Sequence, residues 1–289
     1  MIPRAPGGEF FYPHSISNMR RFFQPLFFFL IAFKGTFLST PLQAEENFIV
    51  MDGSTRSILK ELGSSLDKRI TPCSTFKIAL SLMGYDAGIL LDERVPIWDF
   101  QDGYDDFLEV WKGPQTPRSW MKSSCVWFSK VLVSRLGVEG VKKYLHLMEY
   151  GNQDLSASNG FDQEVADSSY PFWLNASLKI SPREQVEFIQ KMLIAELPIS
   201  LHSMERTKSI LFIEELEWGG KLFGKTGWSG CVKDPTDMEL GWFVGWIENN
   251  HGFFPFSYVI FANKVELGQR IPRVKQLLKD LRVHCDGSV

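Results

Sequence analysis

The chain has 289 residues, 44% of them apolar and 14% aromatic, enough to bury a large core and too apolar for a disordered polypeptide. Its formal charge is −3, and residues 1–44 hold Arg4, Arg20, Arg21 and Lys34 against Glu9 alone, so the remainder is more acidic still. With no dense Lys/Arg run, the electrostatics give no reason to expect nucleic acid as a partner.

The first 44 residues have the layout of an export signal. Arg20 and Arg21 form a basic head, Phe22 to Phe33 an apolar stretch, and Pro41-Leu42-Gln43-Ala44 a small-residue cleavage point after Ala44. About a dozen apolar residues fall short of the roughly 20 that span a bilayer, so a removed signal is expected rather than a retained anchor. Met19 stands directly before the two arginines, as an initiator would, and residues 1–18 are set aside as an extension. The expectation is a periplasmic protein made of one domain, 45–289.

From Glu45, Asn47 to Met51 followed by Asp52-Gly53-Ser54-Thr55 predicts a strand and turn, with Ser57-Ile58-Leu59 returning. Pro72-Cys73-Ser74-Thr75-Phe76-Lys77 then opens an apolar helix through Ile78, Leu80, Leu82 and Met83, stopped by Gly88. Residues 92–115 read as loop. Thr116-Pro117 is a helix N-cap and first position, and further helices follow from about Cys125 to Leu136 and from about Val138 to Met148. The polar stretch 153–170 is expected to be a surface loop. Ser181-Pro182-Arg183-Glu184 is a capping box that opens a helix ending before Pro198. Strands are expected at Lys221 to Trp228, Leu240 to Ile247 and Ser257 to Ala262, then an amphipathic helix after Pro272.

Strands at both ends around a helical middle predict an α/β fold. A sheet lobe would come from about 45–72 and 205–289, with a helical lobe of about 73–204 inserted and a cleft between them.

Ser-x-x-Lys occurs four times, at Ser57/Lys60, Ser65/Lys68, Ser74/Lys77 and Ser119/Lys122. Only Ser74 and Lys77 sit where an apolar helix begins, so that one turn brings a hydroxyl and an amine to the same face as nucleophile and base. The triplet Lys225-Thr226-Gly227, in a strand, offers a cation, a hydroxyl and a residue that lets a ligand approach the backbone. Five histidines without His-x-x-x-His, and Cys73, Cys125, Cys231 and Cys285 without Cys-x-x-Cys, give no reason to expect a metal. Cys73 and Cys125 are expected to be small buried residues packing the cleft floor rather than a disulfide.

Ser-x-x-Lys followed far downstream by Lys-Thr-Gly resembles the penicillin-recognising serine enzymes. Between them stand Ser124-Cys125-Val126, Tyr150-Gly151-Asn152 and Trp173-x-x-x-Ser177-Leu178. With these in order over about 45–283, the chain resembles the class D β-lactamases, the oxacillinases, and the resemblance implies a serine β-lactamase/penicillin-binding-protein-like fold with a mostly antiparallel sheet.

The resemblance also implies roles. Ser74 would attack the β-lactam carbonyl. Lys77, an ordinary ammonium at neutral pH, would need burial to act as a base, and carbon dioxide or bicarbonate would convert it to N6-carboxylysine with no other cofactor. Val126 would keep that site dry and Trp173 would donate its indole N–H to the carbamate. Ser124, beside Lys225, would relay a proton to the leaving nitrogen. The N–H groups of Ser74 and Trp228 would form an oxyanion hole, and Thr226, Gly227 and Arg270 would bind substrate. Tyr150 and Asn152 would be architectural.

The expected partner is a small β-lactam, and the sequence leaves monomer and homodimer both open. Two other activities share the motifs: a β-lactam sensor domain that is acylated without turnover, and a cell-wall D-Ala-D-Ala peptidase.

Overall fold

The structure, a computed structural model, describes residues 44–157, 171–230 and 238–281. The expected export signal, most of the expected surface loop 153–170, and residues 231–237 lie outside these, as do Cys231 and Cys285.

Among the described residues six strands form one antiparallel sheet: β1 (Glu45–Met51), β2 (Ile58–Leu62), β3 (Phe212–Glu215), β4 (Lys221–Trp228), β5 (Glu239–Asn249) and β6 (Gly252–Ala262), in spatial order β2-β1-β6-β5-β4-β3. β1, from one end of the chain, pairs along its length with β6, from the other, with Glu45 opposite Phe261 and Val50 opposite Phe256. The inner strands are buried on both faces, which explains their near-continuous apolar sequence. Along β5, Trp242, Val244 and Trp246 enter the large core beneath the helices, while Phe243 and Ile247 enter a second core on the reverse face, the period of 2 that a pleated strand imposes.

Among the described residues seven α-helices accompany the sheet: α1 (Lys77–Asp86), α2 (Pro117–Ser123), α3 (Val126–Leu136), α4 (Val138–Leu147), α5 (Pro182–Leu193), α6 (Leu201–Leu211) and α7 (Arg270–Lys279). α7 covers the reverse face of the sheet with Val274, Leu277 and Leu278. α5 lies against β1 and β6 on the other face, and α1 packs on α3 and α6.

The predicted punctuation explains most boundaries. Thr116 and Ser181 each cap a helix in a reciprocal box with a proline at its start, and Ser119 is the box partner of Thr116, which accounts for the Ser119/Lys122 match in structural terms. Gly137 turns the chain between α3 and α4 at φ +70°.

Three expectations are corrected. Residues 201–211 form a helix packed on α1 and α2, so the sheet portion after the helices begins at Phe212 rather than at about 205. α7 begins at Arg270, with Pro272 inside its first turn, where a missing N–H costs nothing. Ser74 lies in a tight 3-10 turn, Cys73–Phe76, that leads into α1.

Candidate active site

The turn that carries Ser74 is held from three sides. The Cys73 N–H donates to the carbonyl of Trp173 at 3.0 Å, and the Thr71 hydroxyl donates to the same oxygen at 2.9 Å. Gln185 on α5 donates to the Thr75 hydroxyl at 2.9 Å. Trp242 on β5 donates its indole N–H to the carbonyl of Thr71 at 2.9 Å. These bonds hold Cys73 at φ +50°, a conformation a non-glycine residue keeps only when its surroundings enforce it.

One turn on, Lys77 Nζ donates to Ser74 Oγ at 3.2 Å. Lys77 is 1% exposed, so its amine is almost out of reach of water, while Ser74 is half-buried and faces the cleft.

The second wall is the junction of α2 and α3. Ser124 caps α2 in the left-handed region, at φ +60°, and its N–H donates to the Trp120 carbonyl. This turns the chain sharply and places Ser124 and Val126 on the cavity that also contains Ser74.

The third wall is β4. β3 pairs only with Lys221 to Phe223, so among the described residues no strand covers the outer edge of β4 from Gly224 onward. The Ser229 N–H bonds to the Leu240 carbonyl, and by the alternation of an antiparallel ladder the Trp228 N–H points away from β5, toward the cleft. The N–H groups flanking Ser74 are taken by Trp173 O and Pro72 O, whereas the Ser74 N–H has no partner among the described residues. Two backbone donors therefore face the cavity that Ser74 lines.

Together these walls enclose a cavity of about 560 Å³ lined by Ser74, Ser124, Val126, Thr226, Gly227, Trp228 and Arg270. A cavity of equal volume at the other end of β4 contains none of the predicted residues.

Lys225 lies beneath the lining, 5% exposed, and Nζ donates to the carbonyl of Thr226 at 3.0 Å rather than to Ser124. Burial pushes its pKa well below that of an ordinary lysine, and the nearby charges of Lys77 and Arg270 push the same way. Arg270 is not a solvated surface arginine. It is 9% exposed and donates to the carbonyls of Leu267 and Gly227, filling space that Gly241 leaves open. Burial lowers its pKa to about 10.

The remaining predicted residues support the site without lining it. The Trp173 ring stacks on Phe76, with centroids 5.5 Å apart. Tyr150 is fully buried, packed edge-on to Phe76 and Phe188. Asn152 donates to Ser177 O at 2.8 Å and accepts from the Lys179 N–H at 2.8 Å, so it ties its own turn to the segment that leads into α5. Cys73 and Cys125 are buried and not bonded to one another.

Sequence reasoning missed the ion pair between Asp105 and Lys130 on the cavity wall, 3.1 Å apart. Its only sequence signal was a charged residue on the otherwise apolar face of α3. Among the described residues no cluster of side chains could hold a metal ion.

Residues 44–279 match the family model of the penicillin-binding-protein transpeptidase domain. Beta-lactamase OXA-1 of Escherichia coli is 35% identical over 206 residues, 71% of each chain. The probable beta-lactamase YbxI of Bacillus subtilis is 34% identical over 241 residues, 83% of this chain and 78% of its own. Among solved structures, the class D β-lactamase OXA-427 superposes with a TM-score of 0.71 at 32% identity, covering 82% of this chain and 99% of the other. Serine, lysine and backbone donors converge in one cleft, and the relatives that share this fold over most of their length are of one kind: the chain belongs to the class D serine β-lactamases.

Proposed function

We propose that this protein hydrolyses β-lactam antibiotics through an acyl-enzyme on Ser74 and so confers resistance. The observation that carries the reading is the 3.2 Å contact of the buried Lys77 Nζ with Ser74 Oγ at the floor of an open cleft. At that distance a proton passes directly between the two groups. The Ser74 and Trp228 N–H groups border the position where the carbonyl oxygen acquires charge during attack, and they stabilise it there. Ser124 passes a proton to the departing nitrogen. Arg270 and Thr226 meet the substrate carboxylate, with Lys225 adding positive potential beneath.

Carbon dioxide suits the Lys77 position. The amine is buried, as it must be to lose its proton and add CO2. Lys77, Lys225 and Arg270 also crowd three basic groups together, and an anion on Lys77 would relieve that crowding. The resulting carbamate would supply an anionic oxygen base, so that deacylation needs no separate glutamate. An exported, periplasmic location goes with this activity. Among the described residues no helix is long and apolar enough to cross a membrane.

Residues 45–289 mixed with excess ampicillin should turn over many equivalents, followed by the loss of β-lactam absorbance. One covalent equivalent that persists would instead favour the sensor reading. Stripping carbon dioxide should depress activity and bicarbonate should restore it. Full activity of the stripped enzyme would overturn the carbamate.

A further inference from the structure

One face of the cleft is built from residues 104–112, a turn-rich segment ending in a short 3-10 helix, Glu109–Lys112, that the Ser74 chemistry does not use. It is anchored at both ends. The Tyr104 ring stacks on Trp127 of α3, with centroids 5.3 Å apart. At the other end Trp111 is buried, donates its indole N–H to Ser123 O at 3.0 Å, and accepts at its carbonyl from the Trp127 indole at 2.9 Å. Residues 106–110 between the anchors are all exposed. Three of them are large and apolar: Phe107 is 65% exposed, Leu108 40% and Val110 57%. Phe107 and Leu108 line the mouth of the Ser74 cavity, and with Val110 beside them they form an exposed apolar surface suited to an apolar group. The Phe107 ring lies 6.2 Å from that of Trp111 and 6.4 Å from that of Trp228 on the opposite wall.

Trp111 and the Gln115 amide, which donates to the Val110 carbonyl at 2.8 Å, hold the far end of this segment, and at the near end its ionic tie to α3 is Asp105. Its carboxylate lies 3.1 Å from Lys130 Nζ, and both side chains line the cavity with Ser74. Lys130 belongs to α3, one turn beyond Val126, and is 7% exposed. A lysine buried to that degree needs its counter-charge. The pair therefore fixes where the loop leaves α3, in a way that a solvated surface pair would not. Asp105 stands two residues before Phe107, so a shift of its backbone is passed almost undiminished to the ring.

We infer that Asp105 and Lys130 are positioning residues whose ion pair holds 106–110 as the wall for the apolar side chain of the substrate, with Phe107 kept opposite Trp228. This rests on the β-lactam reading above, because it takes the substrate to lie along the Ser74 cavity. Neither residue touches the reacting atoms. They act through Phe107.

The test compares two penicillins, one with an aryl acyl side chain and 6-aminopenicillanic acid, which has none. In Lys130→Met, the ratio of kcat/KM for the aryl substrate to that for the bare nucleus should fall about tenfold, with the loss in KM for the aryl substrate rather than in kcat. Asp105→Asn, a change at the rim that does not threaten the core, should show the same ratio, and Lys130→Arg should restore it. Phe107→Ala should mimic Lys130→Met, and the two changes combined should cost no more than either alone. An unchanged ratio, a parallel fall of kcat for both substrates, or full additivity of the two changes would overturn the inference. If the parent acylates but does not turn over, the hydrolase reading fails on its own. The same ratio is then read from acylation rates by mass spectrometry and still decides the positioning role.

Discussion

Gly227 lies against the turn of Pro72: a β-carbon added to Gly227 would stand 3.1 Å from the Pro72 carbonyl oxygen and 3.3 Å from Cys73 Cβ. The glycine of the Lys-Thr-Gly triplet is therefore explained by contact inside the protein as well as by access for a ligand. Strand and nucleophile turn touch there through backbone. In Gly227→Ala, β4 must retreat by a few tenths of an ångström, and Trp228 moves with it. Since misplacements of this kind cost up to about 100-fold when they near 1 Å, kcat should fall roughly tenfold. The melting temperature should drop by only a few degrees. Steady-state hydrolysis alongside thermal melting checks both, and an unimpaired kcat would refute the coupling.

Lys225 is buried at a cost to stability. Below its depressed folded pKa it is charged in both states and bears the full burial cost. Between that value and about 10.4, the unfolded chain holds a proton that the folded chain does not, so its contribution to stability rises with pH. Lys225→Met should therefore be more stable than the parent near neutral pH, and the gap should close as pH approaches about 10.4. Hydrolysis should be almost lost. Urea midpoints of both proteins across this range provide the measurement, and a gap that widens with pH would contradict the assignment.

Asn152 should matter to stability more than to chemistry. It bonds Ser177 O and the Lys179 N–H but does not line the cavity. Asn152→Ala leaves those groups without their partner and should cost about 2 kcal/mol, read by denaturant unfolding. Activity per folded molecule should stay within a few-fold.

Cys125, next to Ser124, should be chemically inert in the folded protein. Burial raises its pKa to about 12, and the thiolate is the reactive form. Iodoacetamide at pH 8 should modify it quickly in urea and barely at all in buffer, as peptide mapping would show. Rapid labelling of the native state would mean the cleft floor opens.

The elements with local punctuation were readable in advance. Ser181-Pro182-Arg183-Glu184 and Thr116-Pro117 carry their own start signals, and β5 is apolar enough to identify itself. α6 was missed because its buried face includes Ser203 and Thr207, both fully buried, which blurs the apolar period. The first half of β6 was missed because Pro255 interrupts it. Pro255 faces Trp246 of β5 and lies just beyond the pairing with β1, which ends at Phe256, so a missing N–H is tolerated. In the site, motif residues such as Ser74, Ser124 and Gly227 converge because their order along the chain is a family pattern. Asp105 and Lys130 belong to no motif, and their meeting depends on how the 92–115 stretch folds over α3. The burial of Arg270 was equally hidden, since it depends on the empty side of Gly241.

The pairing of β1 with β6 also bears on how the chain is made. Glu45 finds its partner only at Phe261, more than 200 residues later, so the middle of the sheet cannot close until nearly the whole polypeptide has left the ribosome. Through most of its synthesis the chain has no route to its final form. Until β6 is available the inner edge of β1 has no partner strand and the core beneath the two strands stays open, so a chain that stops before Gly252 lacks the middle of its sheet.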